Sequence, residues 1–102
     1  NGWQGIGRNK DILNLNPLKK KWESFGWETY VINGHKENQL KKIFEKKHAK
    51  RPVAIIAKTI KGKGISFMED DNNWHYRIPN EKEVTLAFKE LENIVHTHLS
   101  YR

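Results

Sequence analysis

Two glycine-rich stretches and a few histidines carry most of the chemistry open to this chain. It begins Asn1-Gly2-Trp3-Gln4-Gly5-Ile6-Gly7, two carboxamides and three glycines around an indole. Gly2, Gly5 and Gly7 permit positive φ and let the backbone approach a ligand closely. A second stretch, Lys61-Gly62-Lys63-Gly64, sets cationic side chains beside glycines. The histidines are His35, His48, His75, His96 and His98. His96 and His98 lie two apart, which on a helix puts them on different faces, so they are not a metal pair. There is no cysteine. Disulfides, thiol catalysis and Cys-based zinc sites are therefore excluded, and a reducing, cytoplasmic setting is expected.

Charge and length limit the partners. The chain has 102 residues, with 19 Lys+Arg against 12 Asp+Glu, a formal charge of +7. Such a balance can attract nucleic acid, anionic lipid or a phosphorylated small molecule. The lysines are spread out: Lys19, Lys20 and Lys21, Lys41 and Lys42, Lys46 and Lys47, then Lys61 and Lys63. Most fall on polar faces of expected helices, which reads as solvated charge. No nucleic-acid recognition motif appears, and aromatics do not interleave with the basic residues. The longest apolar run, 53–57, is far short of the ~20 residues of a membrane span. No signal-peptide pattern is visible. The length suits one domain, and 36% hydrophobic residues with four Trp exclude a wholly disordered chain.

The elements that must position these residues follow from local patterns. Residues 1–15 read as loop. Asn16 is a good helix cap and Pro17 suits a first helical position. Leu18, Trp22 and Phe25 then recur at helical spacing until Gly26 stops the helix. Trp22, Phe25 and Trp27 are expected in the core. Residues 27–32 are rich in aromatic and β-branched types, a strand, and Asn33-Gly34-His35 is a turn with His35 as a turn residue. A second helix, 37–47, shows an apolar face of Leu40, Ile43 and Phe44. The run after Arg51-Pro52 reads as a strand buried on both faces, since its apolar residues do not alternate. Strand, helix, strand makes a βαβ unit and a parallel pair. The loops after the two strands then lie on the side where such sheets bind ligands. Residues 58–79 form a long loop whose Phe67, Trp74 and Tyr76 argue against disorder. Asn80 and Glu83 form a capping box. The last helix carries Val84, Ala87, Phe88, Leu91, Ile94 and Val95 on one stripe. Two strands cannot make a free-standing α/β sheet, and the chain opens on Asn1 with no element before it. It is expected to be a single segment, 1–102, of a longer domain whose upstream part is missing.

Six local patterns fall in order: Asn1-Gly-Trp-Gln-Gly-Ile-Gly7, Trp22-Glu-Ser-Phe-Gly-Trp27, Val31-Ile-Asn-Gly-His35, Ala54-Ile-Ile-Ala-Lys-Thr-Ile-Lys-Gly-Lys-Gly64, Ile65-Ser-Phe-Met-Glu69, and Trp74-His75 followed by Pro79. Together they resemble the thiamine-diphosphate-binding domain of transketolase, most closely the N-terminal subunit of split transketolases. The resemblance implies a three-layer, parallel-sheet α/β fold with only its C-terminal half present: a βαβ unit plus flanking helices. It implies transfer of a two-carbon ketol unit between sugar phosphates, with thiamine diphosphate and Mg²⁺ as cofactors. The side-chain oxygen of Asn1 and the carbonyl of Trp3 would bind the metal, and oxygen donors suit Mg²⁺. Gly5 stands at the position that packs on the cofactor ring, and Lys61-Gly62 matches backbone passing over the cofactor. His75 matches a catalytic, cofactor-lining histidine, a group able to hydrogen-bond a phosphate or move a proton near neutral pH.

The resemblance also implies a partner, the C-terminal transketolase domain or subunit, together with an oligomer whose active site lies between subunits. An isolated segment would be inactive. The sequence departs from the family at Gly5, where a larger apolar residue is usual, at Ile6, where an aspartate is, and at Tyr76, where a glycine is. On the residues alone His75 is an exposed loop histidine, and the solvated reading of Lys61 and Lys63 stands beside the phosphate-binding one. Two other readings remain: a basic nucleic-acid-binding module, and a transketolase-like assembly subunit whose site has decayed.

Overall fold

The computed structural model describes residues 1–48 and 50–99, with side chains as far as residue 96. The side chain of His98, half of the dismissed His96/His98 pair, and the chain end at 100–102 lie outside it. The chain divides into two compact units: Asn1–Gln4 with Arg8–Thr59, and Gly5–Gly7 with Ile60–Arg102.

The first unit begins where a loop was expected. Strands β1 (Trp3–Gln4) and β2 (Gly7–Arg8) form a two-stranded sheet. A one-turn helix α1 (Asn9–Ile12) follows. Strands of two residues leave no periodicity to read. The Arg8 guanidinium lies 3.8 Å from the Trp3 ring centroid, and the Asn9 N–H donates to the Gly2 carbonyl at 2.9 Å. Cation–π stacking and a backbone bond thus hold what the pattern could not show.

Helix α2 spans Leu18–Ser24, one residue later than expected. Pro17 is its cap rather than its first helical residue, and Asn16 lies outside it. Gly26 ends it with φ +86°, a conformation glycine adopts without strain. Strand β3 (Glu28–Asn33) leads into the expected turn. There the Asn33 carboxamide oxygen accepts from the His35 N–H at 2.9 Å, a side-chain mimic of a backbone turn. Helix α3 spans Glu37–Glu45. Strand β4 (Val53–Lys58) then pairs parallel with β3, from Glu28 opposite Val53 to Asn33 opposite Lys58. The βαβ unit is therefore present as expected.

Its burial differs from expectation. Ile43, Ala54 and Thr29 are buried. Trp22 meets Trp27 edge-on, with centroids 4.8 Å apart, but neither Trp22, 37% exposed, nor Phe25, 81% exposed, lies in the core, and Trp27 is half-buried. Phe25 falls one residue past the end of α2, a helix with no buried residue of its own. Strand β4 is half-buried, not buried on both faces, and Ala57 is exposed. A two-stranded sheet gives β4 one hydrogen-bonded neighbour, and α2 and α3 contact β3.

In the second unit, two 3₁₀ turns, Ser66–Met68 and Asn72–His75, shape the long loop. Helix α4 (Glu81–Leu99) follows. Its capping box is reciprocal: Glu83 N–H donates to the Asn80 side-chain oxygen at 3.0 Å, and Asn80 N–H donates to the Glu83 carboxylate at 2.9 Å. Ala87 is buried, while Phe88 and Val95 on the same stripe are exposed. No helix among the described residues is long and apolar enough to cross a membrane.

Candidate functional site

The structure gathers the expected site residues into two groups. Asn1 and Trp3 belong to the first unit, and Gly5, Lys61, Gly62 and His75 to the second. Asn1 and Trp3 share one turn, in which the Asn1 carboxamide oxygen accepts from the Trp3 N–H at 2.9 Å. An amide oxygen has two acceptor sites, so this bond fixes its direction and leaves one lone pair. With the Trp3 carbonyl, the turn supplies two hard oxygen donors, the kind Mg²⁺ prefers. Among the described residues no three His, Cys, Asp or Glu side chains cluster to hold a metal by themselves. Gly5 has φ +50° and open space where a Cβ would be.

At the carboxyl end of the parallel pair, the Gly34 N–H donates to the Lys58 carbonyl at 2.8 Å. A Cβ on Gly34 would come 2.7 Å from the Thr59 methyl. The Asn33-Gly34-His35 turn thus closes that edge tightly, on the side where sheets of this kind bind ligands.

The second unit's loop is braced along its length. Gly62, at φ +71°, has no room for a side chain: a Cβ would sit 2.3 Å from the Met68 carbonyl oxygen. The Asp70 N–H closes the same turn onto the Lys61 carbonyl at 2.8 Å. Glu69 accepts from the Lys63 ammonium at 2.9 Å and from the Gly64 N–H at 3.2 Å. The Trp74 indole N–H donates to the Phe67 carbonyl at 2.9 Å, with the two rings 5.3 Å apart. Arg77 stacks 4.3 Å from the Trp74 centroid and pairs with Glu83.

His75 ends the second 3₁₀ turn and is exposed. The Tyr76 ring meets it edge-on, centroids 4.5 Å apart. Beside them opens a pocket of about 580 Å³ lined by Ile6, Asn72, Asn73, Tyr76 and Arg77. The buried carboxamide oxygen of Asn72 has no hydrogen-bond partner.

No protein-family model matches the chain. It is 40% identical over 94 residues to an apulose-4-phosphate transketolase subunit of Actinobacillus succinogenes, covering 91% of this chain and 34% of that protein. The protein of the same name from Phocaeicola vulgatus is 29% identical over 93 residues, 89% of this chain and 33% of that protein. Mouse transketolase is 48% identical over 58 residues, 56% of this chain and 9% of that protein. This chain is transketolase-like. It spans about a third of the length of the two bacterial relatives it matches.

One part of this transketolase-like segment escaped sequence reasoning. Glu90, on α4, accepts from the Ser66 N–H at 2.6 Å and from the Ser66 hydroxyl at 2.7 Å. The backbone bond, then the hydroxyl bond, hold its carboxyl below the usual carboxylate range, against opposing effects of burial and Glu69. The pair is separated by 24 residues. No local periodicity or motif could have joined them.

Proposed function

We propose that this chain forms part of a thiamine-diphosphate-dependent transketolase that moves a two-carbon ketol unit between sugar phosphates. The observation that carries the reading is the agreement with one bacterial transketolase subunit over 91% of the chain. The two strands and their crossover helix would be part of a three-layer parallel-sheet domain, with the rest supplied by chain the relatives have and this sequence lacks. Thiamine diphosphate, when bound, supplies the nucleophilic carbon and the electron sink for breaking and remaking a carbon–carbon bond.

The chain's own residues bind and orient. The Asn1 carboxamide oxygen and the Trp3 carbonyl would hold Mg²⁺, which would supply positive charge for the diphosphate. Their fit rests on the turn that brings Asn1 to Trp3 and on the preference of Mg²⁺ for oxygen. The backbone at Lys61-Gly62 would pass over the cofactor, in a turn so close to Met68 that Gly62 has no room for a side chain. His75, exposed and steadied by Tyr76, hydrogen-bonds a phosphate oxygen or a substrate hydroxyl. The two bacterial relatives are named as subunits, which points to a partner subunit. On this reading the active site lies between subunits of an oligomer, and the isolated segment is inactive. The cytoplasmic setting expected from the lack of cysteine belongs to the same reading. Both of those relatives are named for apulose-4-phosphate, so that sugar phosphate is the first substrate to try.

The test is calorimetric. The complete protein carrying this chain, with its partner subunit, is titrated with thiamine diphosphate in the presence and absence of Mg²⁺. Binding that requires Mg²⁺ is expected, weakened at least about tenfold in Asn1→Ala, by comparison with losses known for altered metal-site residues. His75→Ala is expected to keep Mg²⁺ dependence and lose turnover. Absence of binding in the intact complex would overturn the reading.

A further inference from the structure

The loop carrying Lys61-Gly62 and His75 is tied to α4 by a contact that touches neither residue. Ser66 opens the first 3₁₀ turn. Its N–H and its hydroxyl both donate to one carboxylate, that of Glu90. Two bonds to a charged acceptor fix orientation as well as position. The next residue, Phe67, receives the Trp74 indole N–H and stacks on that ring. Trp74 precedes His75 within the second 3₁₀ turn. Upstream, the Gly62 turn is closed against Met68, the last residue of the Ser66 turn. These links from Gly62 and from Trp74 meet in the Ser66–Met68 segment, and Glu90 holds that segment from outside the loop.

We propose that Glu90 is a positioning residue, which sets the cofactor-facing loop through Ser66 without itself touching cofactor or substrate. The inference rests on the transketolase reading for what the loop faces. The tether itself rests only on the geometry of Glu90 and Ser66. Releasing it frees the loop to open, and a ligand that needs the closed loop then binds in proportion to the closed fraction.

Hydrogen exchange followed by mass spectrometry tests this on the complete protein with its partner subunit, with and without thiamine diphosphate and Mg²⁺. In Glu90→Gln, amides of the 61–79 segment are expected to exchange about tenfold faster, the scale on which lost bonds to a charged group act at an exposed site. Segment 28–45 is expected to stay at its wild-type rate. Ser66→Ala, which keeps the backbone bond, is expected to show a smaller rise, and Ser66→Thr, which keeps both bonds, none. Saturating cofactor is expected to return the 61–79 segment of Glu90→Gln to its wild-type rate, with apparent cofactor affinity lowered and kcat at saturation retained. A purely structural role would raise exchange in both segments alike and leave cofactor affinity unchanged. Unchanged exchange at 61–79 in Glu90→Gln, or Ser66→Thr behaving as Ser66→Ala, overturns the proposal. Wild-type protein that binds no thiamine diphosphate overturns the transketolase reading instead, and the free-protein exchange series still judges the tether.

Discussion

Replacing Gly62 by alanine probes the loop where space is tightest. Two costs combine. The backbone at φ +71° is a left-handed conformation that costs a residue with a Cβ about 1–2 kcal/mol. The new methyl would also lie 2.3 Å from the Met68 carbonyl oxygen and 2.7 Å from its carbon. These are backbone atoms, so no side-chain rotation relieves the clash. The turn must open, and the Asp70 N–H bond to the Lys61 carbonyl is lost with it, at about 1 kcal/mol. The total is about 3 kcal/mol of local stability. Gly26→Ala is the internal control. Its φ of +86° carries the same conformational cost, but nothing lies within 4 Å of the added Cβ. Hydrogen exchange reads both sites as local opening. About 100-fold faster exchange is expected across 61–71 in Gly62→Ala, and about tenfold around residue 26 in Gly26→Ala, at 1.4 kcal/mol per decade. Equal factors at the two sites would refute the steric part of the reasoning, because only that part distinguishes them.

Two further outcomes follow from the same unit. Asn80→Ala removes the acceptor for the Glu83 N–H and is expected to cost about 1 kcal/mol, seen as faster exchange in the first turn of α4, while Asn80→Ser largely retains it. Acid pH is expected to loosen the loop: Glu90 titrates below the usual carboxylate range when folded, so its stabilisation is full above the unfolded value and is lost as pH falls through the folded one. Exchange across 61–79, corrected for the intrinsic rate, is expected to rise over that window more steeply in wild type than in Glu90→Gln. The other carboxylates of the loop are common to both proteins, so only their difference counts.

How much of this was legible depended on how local each signal is. The capping box at Asn80 and Glu83, the Asn33 turn and the strand–helix–strand order are written within a few residues, and all appear in the structure. The hairpin at Trp3 to Arg8 was read as loop because its strands are two residues long and a cation–π contact secures them. Phe25 was expected in the core because its spacing fits α2, but the helix ends at Ser24 and leaves it outside. Strand β4 has the composition of a strand buried on both faces, yet composition records the neighbours a strand suits, not those present in 102 residues. In the candidate site, the residue types at Asn1, Trp3, Gly62 and His75 were readable, and so were the glycine-rich turns that carry Asn1 and Gly62. The brace on the loop that carries Gly62 and His75 was not, because Ser66 and Glu90 are far apart in sequence.

Those braces explain how a loop of this length keeps a shape. In the second unit Ala87 is the apolar side chain that is buried among the described residues, while Phe88 and Ile78 are exposed. Apolar burial there is thin. Order comes instead from charged and polar groups aimed at backbone: Glu90 at Ser66, Glu69 at Gly64, Asp71 at Asn73, and the Trp74 indole at Phe67. Hydrogen bonds of this kind contribute modestly one by one and are directional, so they fix where the loop goes without making it hard to open. On the proposed reading, a segment that closes on an anionic cofactor and releases it benefits from that balance. A loop held by a large apolar core would bind and stay closed, whereas one held by exposed polar braces sits near the point where a ligand's own contacts decide the outcome.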